Sequence, residues 1–154
     1  MKSIDNMNIK LILAILLFVT GVSFSQEVEL KKEKVYLDGK EILKYEKINS
    51  IQYSFFSLED EEILHFKLSN NETLHYLEDD YFILNFLNEK KKIESTDISR
   101  ISSGLGMNSA KNMKKLIIWL LKEKVLGADG KINPEKLDVF EQKFQEDITV
   151  RTVR

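Results

Sequence analysis

The chain has 154 residues, a formal net charge of −2 and 43% hydrophobic residues, enough for one domain with its own core. It contains no cysteine, which excludes disulfide frameworks, a lipid-attachment cysteine and thiolate chemistry at a metal or nucleophile. The slight acidic excess argues against a nucleic-acid partner, which calls for a basic surplus.

The first 25 residues read as a secretory signal peptide. Lys2 and Lys10 lead an apolar run from Leu11 to Val19, and Ser23 and Ser25 stand where a signal peptidase requires small residues. The run is about half the ~20 residues of a membrane-spanning helix. Met7 offers a second start, since Met7-Asn8-Ile9-Lys10 alone supplies a basic segment. Cleavage after Ser25 leaves Gln26 first, removes Lys2, Lys10 and Asp5, and moves the formal charge to −3. The expected product is periplasmic or secreted and not an integral membrane protein.

From Val28 to Glu94, apolar residues recur at every second position, the pattern of half-buried strands. In KVYLDGKEILKYE, Lys34 to Glu46, Asp38-Gly39 separates two β-prone runs. That is a strong hairpin signal, because a type I′ turn needs positive φ at both central residues. Ile51, Tyr53 and Phe55 then alternate with Gln52 and Ser54, and Leu64, Phe66 and Leu68 with His65 and Lys67; Leu74 and Tyr76 continue the pattern. Tyr81 to Leu87 is apolar at nearly every position and predicts a central strand covered on both faces. Short acidic links, Glu59 to Glu62 and Glu78 to Asp80, favour an antiparallel meander over parallel units joined by crossover helices.

Residues 95–108 are rich in serine and glycine and read as a loop. Two helices follow, expected over 109–126 and 134–146. In the first, Met113, Leu116, Ile117, Leu120 and Leu121 mark one apolar face; Asn108 or Ser109 can cap its start and Gly127 its end. In the second, Leu137, Phe140 and Phe144 form a narrower stripe behind an Asn133 N-cap and Pro134 at the first helical position. Residues 147–154 read as an extended or frayed tail. The expected fold is α+β: an antiparallel meander of about five to seven strands over 26–94, then two C-terminal helices over 109–146 packed on the sheet.

Candidate sites are few. Asp129-Gly130, inside VLGADGKINPEKL, looks like the centre of a calcium loop. Aligned on Gly130, however, the loop places Val125, Gly127 and Lys136 where an EF-hand needs its outer oxygen ligands. The stretch therefore reads as a corner between helices. His65 and His75 flank the turn Ser69-Asn70-Asn71-Glu72. Pairing Phe66 with Leu74 or Tyr76 would set the two histidines side by side on the polar face of a hairpin. A metal site needs further ligands that are not identifiable, so the pair is a weak polar cluster. No catalytic, cofactor-binding or metal residue is assigned. On the first helix, Lys111, Lys115 and Lys122 fall within about 40° of one another, away from the apolar arc, with Ile118 and Trp119 flanking them. A basic helix face bordered by tryptophan is the composition of interfacial helices. Lys111, Lys115, Trp119 and Lys122 are thus the candidate interaction surface, suited to an anionic partner.

Three stretches, SFSQ at the end of the signal, KVYLDGKEILKYEK, and LLKEKVLGADGKINPEKLDVFEQKF, together resemble small exported proteins of unknown function from Bacteroidota. The resemblance implies location and architecture and carries no site residues. The expected function is that of an exported envelope protein acting as a non-enzymatic binding module, without a cofactor, on an envelope partner. The alternatives are a small hydrolase using His65 or His75 with a turn carboxylate, and a carrier of an apolar ligand between the layers.

Overall fold

A computed structural model describes residues 25–69, 80–102 and 109–151. Among the described residues, seven strands form one sheet in sequence order: β1 (Val28–Lys31), β2 (Lys34–Leu37), β3 (Lys40–Asn49), β4 (Gln52–Phe56), β5 (Glu62–Ser69), β6 (Tyr81–Phe86) and β7 (Lys91–Ser95). Every neighbouring pair is antiparallel. A short 3-10 turn (Ile98–Arg100) leads to three helices, α1 (Ser109–Lys122), α2 (Pro134–Phe144) and the four-residue α3 (Ile148–Arg151). The architecture is the α+β meander with C-terminal helices that the sequence pattern predicts.

Period-two alternation decides what faces the helices. Phe55, Leu64, Phe66, Phe82, Leu84, Phe86 and Ile93 are all buried, and register places them in rows: Phe55 beside Leu64, Leu64 beside Phe86, Phe66 beside Leu84, Leu84 beside Ile93. A one-residue slip would turn each row to solvent, so burial locks the register. Register shifts in the β2–β3, β3–β4 and β4–β5 ladders each bend and twist the sheet locally.

Asp38 and Gly39, at φ +50° and +81°, make the expected hairpin turn. The β1–β2 turn also has two positive-φ residues, Lys32 at +51° and Glu33 at +62°, without the glycine or asparagine that would have announced it. Tyr81 to Phe86 is not a central strand buried on both faces. β6 lies second from the edge and alternates, with Phe82, Leu84 and Phe86 in the core and Tyr81, Ile83 and Asn85 half-buried on the other side. The expected strand around Leu74 and Tyr76 lies outside the described residues.

α1 runs beside β1 and α2 beside β7, so the pair covers the sheet toward both of its edges. The first helix stops at Lys122, earlier than expected, and the residue that turns the chain out is Lys124, at φ +61°, not Gly127. The corner that follows closes on itself: Leu126 bridges Ile132, Gly127 N donates to Lys131 O, and Asn133 N donates to Val125 O. Asn133 then caps α2, its side chain accepting from Lys136 N at 3.1 Å, with Pro134 in the first turn.

Gly130 docks this corner onto the sheet. It is buried at φ +77°, and a Cβ there would stand 2.1 Å from the backbone oxygen of Ile42 on β3. That oxygen cannot swing aside as a side chain can. Gly39 also has positive φ, but a Cβ there would meet open space. Gly130→Ala should therefore cost about 2–5 kcal/mol, conformational strain plus overpacking, whereas Gly39→Ala should cost only about 1–2 kcal/mol. Urea denaturation of the two variants checks the difference; equal midpoints would mean the corner is not anchored through Gly130.

Candidate functional site

The basic back of α1 forms, but Trp119 is not part of it. Met113, Leu116, Ile117, Trp119 and Leu120 are buried, a broader arc than the aliphatic spacing alone indicates. The extra width comes from α2, which covers the flank where Trp119 emerges. The Trp119 ring lies 4.7 Å from Phe140 and 4.9 Å from Phe144, and 6.0 Å edge-on from Phe82 of β6. The Arg100 guanidinium caps the cluster, 5.4 Å from the Trp119 ring and 4.6 Å from that of Phe144, and its Nε pairs with Asp97 at 2.8 Å. With 7% exposure, Trp119 belongs to the core, and its indole nitrogen is buried without a hydrogen-bond partner among the described residues.

What remains on the back is cationic. Lys111, Lys114 and Lys122 are exposed, and half-buried Ile118 sits among them. Lys115 is tied down by donating to Ser102 O at 3.1 Å. α1 carries four lysines and no acid. Some lysines elsewhere are matched: Lys34 with Glu41, Lys44 with Asp60, Lys91 with Asp138 and Glu141, and Lys143 with Glu123. Among the described residues, Lys114 and Lys122 make no ion pair.

His65 stands on the sheet face opposite the core, between Ser54 of β4 and Asn85 of β6. Both ladder positions beside it are thus occupied, and Phe66 pairs with Leu84, so the expected pairing with Leu74 or Tyr76 does not occur. His75 lies outside the described residues. His65 Nδ1 is 2.9 Å from Ser54 Oγ and 3.6 Å from Glu62 Oε1. Serine, histidine and carboxylate meet here, yet they do not make a relay. A hydrolytic triad places acid and nucleophile on opposite ring nitrogens, whereas both groups approach the same one here. Ser54 is also only 4% exposed, out of reach of a substrate carbonyl.

The corner between α1 and α2 borders an open cleft of about 980 Å³, whose lining includes Gln26, Leu121, Leu126, Ile132 and Pro134. It lies over the corner rather than between sheet and helices. Asp129, the best calcium candidate in the sequence, turns its Oδ1 inward to accept from Lys131 N at 3.1 Å. No group of three or more metal-ligating side chains occurs among the described residues.

Sequence reasoning missed Glu94. Its position at the end of an alternating run marks it as an ordinary surface residue, yet its side chain is 1% exposed. The C-terminal segment, expected as a frayed tail, wraps onto the edge of β7 and closes over it. Glu94 Oε2 accepts from the backbone N–H groups of Ile148 at 3.1 Å and Thr149 at 3.0 Å. Oε1 accepts from Thr149 Oγ1 at 2.8 Å and pairs with Lys92 Nζ at 2.9 Å. Burial alone would push this carboxyl up, but the Thr149 and Lys92 donors together hold it below the usual carboxylate range. No local sequence signal marks the partnership, because Glu94 and Thr149 stand 55 residues apart.

No protein-family model, curated protein or solved structure matches the chain. Among the described residues no helix is long and apolar enough to cross a membrane.

Trp119 is the sole tryptophan, so its environment can be read directly. Its fluorescence should be short-wavelength and weakly quenched by acrylamide in the folded protein. Trp119→Ala should cost about 3–5 kcal/mol, the range for emptying a buried aromatic site. Strong quenching, or a loss below ~1 kcal/mol in urea unfolding, would return Trp119 to the surface.

Proposed function

We propose that this chain is an exported envelope protein, of the kind it resembles in Bacteroidota, that acts as a non-enzymatic docking module. Its partner is an anionic phospholipid surface, met by the back of α1. One observation carries the reading: a single helix gathers four lysines and no acid, and keeps Lys114 and Lys122 exposed and, among the described residues, out of ion pairs.

The placement of Lys111, unlike that of Lys122 in the last turn, runs against helix stability. Lys111 lies in the first turn, where the helix dipole favours acids, and no acid is present there. A cation placed against the helix dipole breaks a local rule, as functional surfaces often do. Half-buried Ile118 and Leu121 border the lysines and supply the apolar contact of an interfacial helix, a role that the buried Trp119 cannot fill. Attraction of this type is worth about 1 kcal/mol per lysine near an anionic leaflet and decays over about 8 Å at physiological salt.

The test is co-sedimentation of the chain lacking residues 1–25 with phosphatidylglycerol-containing and with neutral vesicles, at low and physiological salt. Binding should require the anionic lipid and weaken as salt rises. Lys111→Gln, Lys114→Gln and Lys122→Gln combined should lower partitioning by about 100-fold, from three charges at ~1 kcal/mol each. Lys115 is left alone because it also holds the Ser102 carbonyl. No sedimentation at low salt, or equal binding by the triple variant, would sink the proposal. Binding to an acidic polysaccharide but not to vesicles would reassign the partner.

A further inference from the structure

The segment after α2 is attached differently from everything before it. Gln145, Glu146, Ile148 and Thr149 are half-buried and Asp147 is exposed, so none of the five contributes a fully buried side chain. The attachment is polar and converges on Glu94 of β7 and on Thr96 just past its end. Glu94 N donates to Gln145 Oε1 at 2.9 Å, and Glu94 O accepts from Glu146 N at 2.9 Å. Thr96 N donates to Glu146 Oε2 at 2.6 Å, and Thr96 Oγ1 to Glu146 Oε1 at 3.0 Å. The Glu94 carboxylate then gathers Ile148 N, Thr149 N, Thr149 Oγ1 and Lys92 Nζ. Thr149 Oγ1 in turn accepts from Lys92 Nζ at 2.9 Å, so its own hydrogen is committed to Glu94.

We propose that residues 145–151 are a strap latched by the ionised Glu94 carboxylate. Neutralising that carboxylate frees the strap and bares the outer edge of β7, while the core around Trp119 stays folded. The chemistry follows from donor count. Four donors face the carboxylate, so a protonated Glu94 brings a fifth and must lose at least one bond, together with its attraction to Lys92. With little apolar burial to hold it, the strap opens by itself rather than with the whole domain. What it uncovers is the N–H and C=O of Glu94 and the N–H of Thr96, the groups an open sheet edge offers to another strand.

Glu94 ionises more readily in the folded protein than in the unfolded chain. Its contribution is therefore complete above the ordinary glutamate pKa and is lost as pH falls through the lower folded value. The charged groups around the carboxylate are Lys92 on its own strand, and Glu146 and Asp147 on the strap. β6 faces it with Ile83, which does not titrate. Glu146 is itself a carboxylate bound to Thr96, so acid acts on both, and Glu94→Gln at neutral pH isolates the latch.

Amide hydrogen exchange of the full chain tests this. In the unaltered protein at about pH 7, the amides of Glu94, Thr96, Ile148 and Thr149 should exchange faster than those of core strands such as Leu84. In Glu94→Gln they should speed up by about ten-fold or more, as expected for losing charge-assisted bonds, with Leu84 exchange and Trp119 fluorescence unchanged. Thr149→Val, which keeps every β7 residue, should give a smaller increase confined to the same amides. Strap rates within two-fold of the unaltered protein in Glu94→Gln would overturn the latch. So would strap and core amides exchanging together, or global unfolding of Glu94→Gln, since either would make Glu94 a determinant of the whole fold.

Discussion

An antiparallel sheet with one apolar face is unstable in water until something covers that face, and here the cover is fastened at Trp119. The ring is the point at which three elements meet: β6 through Phe82, α2 through Phe140 and Phe144, and the turn after β7 through Arg100. α1 alone could slide along the sheet, and α2 alone presents a stripe too narrow to bury itself. Packed against a shared indole they fix one another, and the basic back of α1 is then obliged to face away from the sheet. The cationic surface is thus a by-product of core geometry in its position, though not in its composition.

Electrostatics divides the molecule into matched and unmatched regions. Lys91 is clamped by Glu141 and Asp138, hydrogen bonds that raise its pKa, and this tie joins β7 to α2. Lys92 and Glu94 hold the strap through Thr149 Oγ1. Such pairs add little stability when exposed. Against that background Lys114 and Lys122 of α1 are exposed and, among the described residues, make no ion pair.

The sheet, its antiparallel order and the two longer helices were legible because each rests on local chemistry. Asp38-Gly39 names its turn, and Asn133-Pro134 names a helix start. Phe55, Leu64, Phe66 and Leu84 declare a buried face by alternation. What escaped was whatever depends on a neighbour remote in sequence. Trp119 lies within 40° of the lysine stripe on a helical wheel, and only the presence of Phe140 and Phe144 decides that it points inward. The Lys32-Glu33 turn has the right backbone and the wrong residues. His65 was paired with the nearest downstream histidine, whereas the ladder gives it Asn85. Glu94 and Thr149 are 55 residues apart, and nothing in either local pattern announces the other.

Strand order has a consequence for how the chain reaches this state. Because every ladder joins sequence neighbours, the sheet can register hairpin by hairpin, with modest loop-closure entropy at most steps. The contacts that close the domain are long in sequence, such as Tyr53 to Ser109 across 56 residues and Glu94 to Thr149 across 55. Contact order therefore favours strand pairing before docking of the cover, which the sheet still needs in order to be stable. During that interval the face carrying Phe55, Phe66, Phe82 and Phe86 meets solvent, and a chain delivered amino terminus first shows it until residues 109–144 follow. The time between emergence of β7 and docking of α1 is the period in which this protein is most exposed to aggregation.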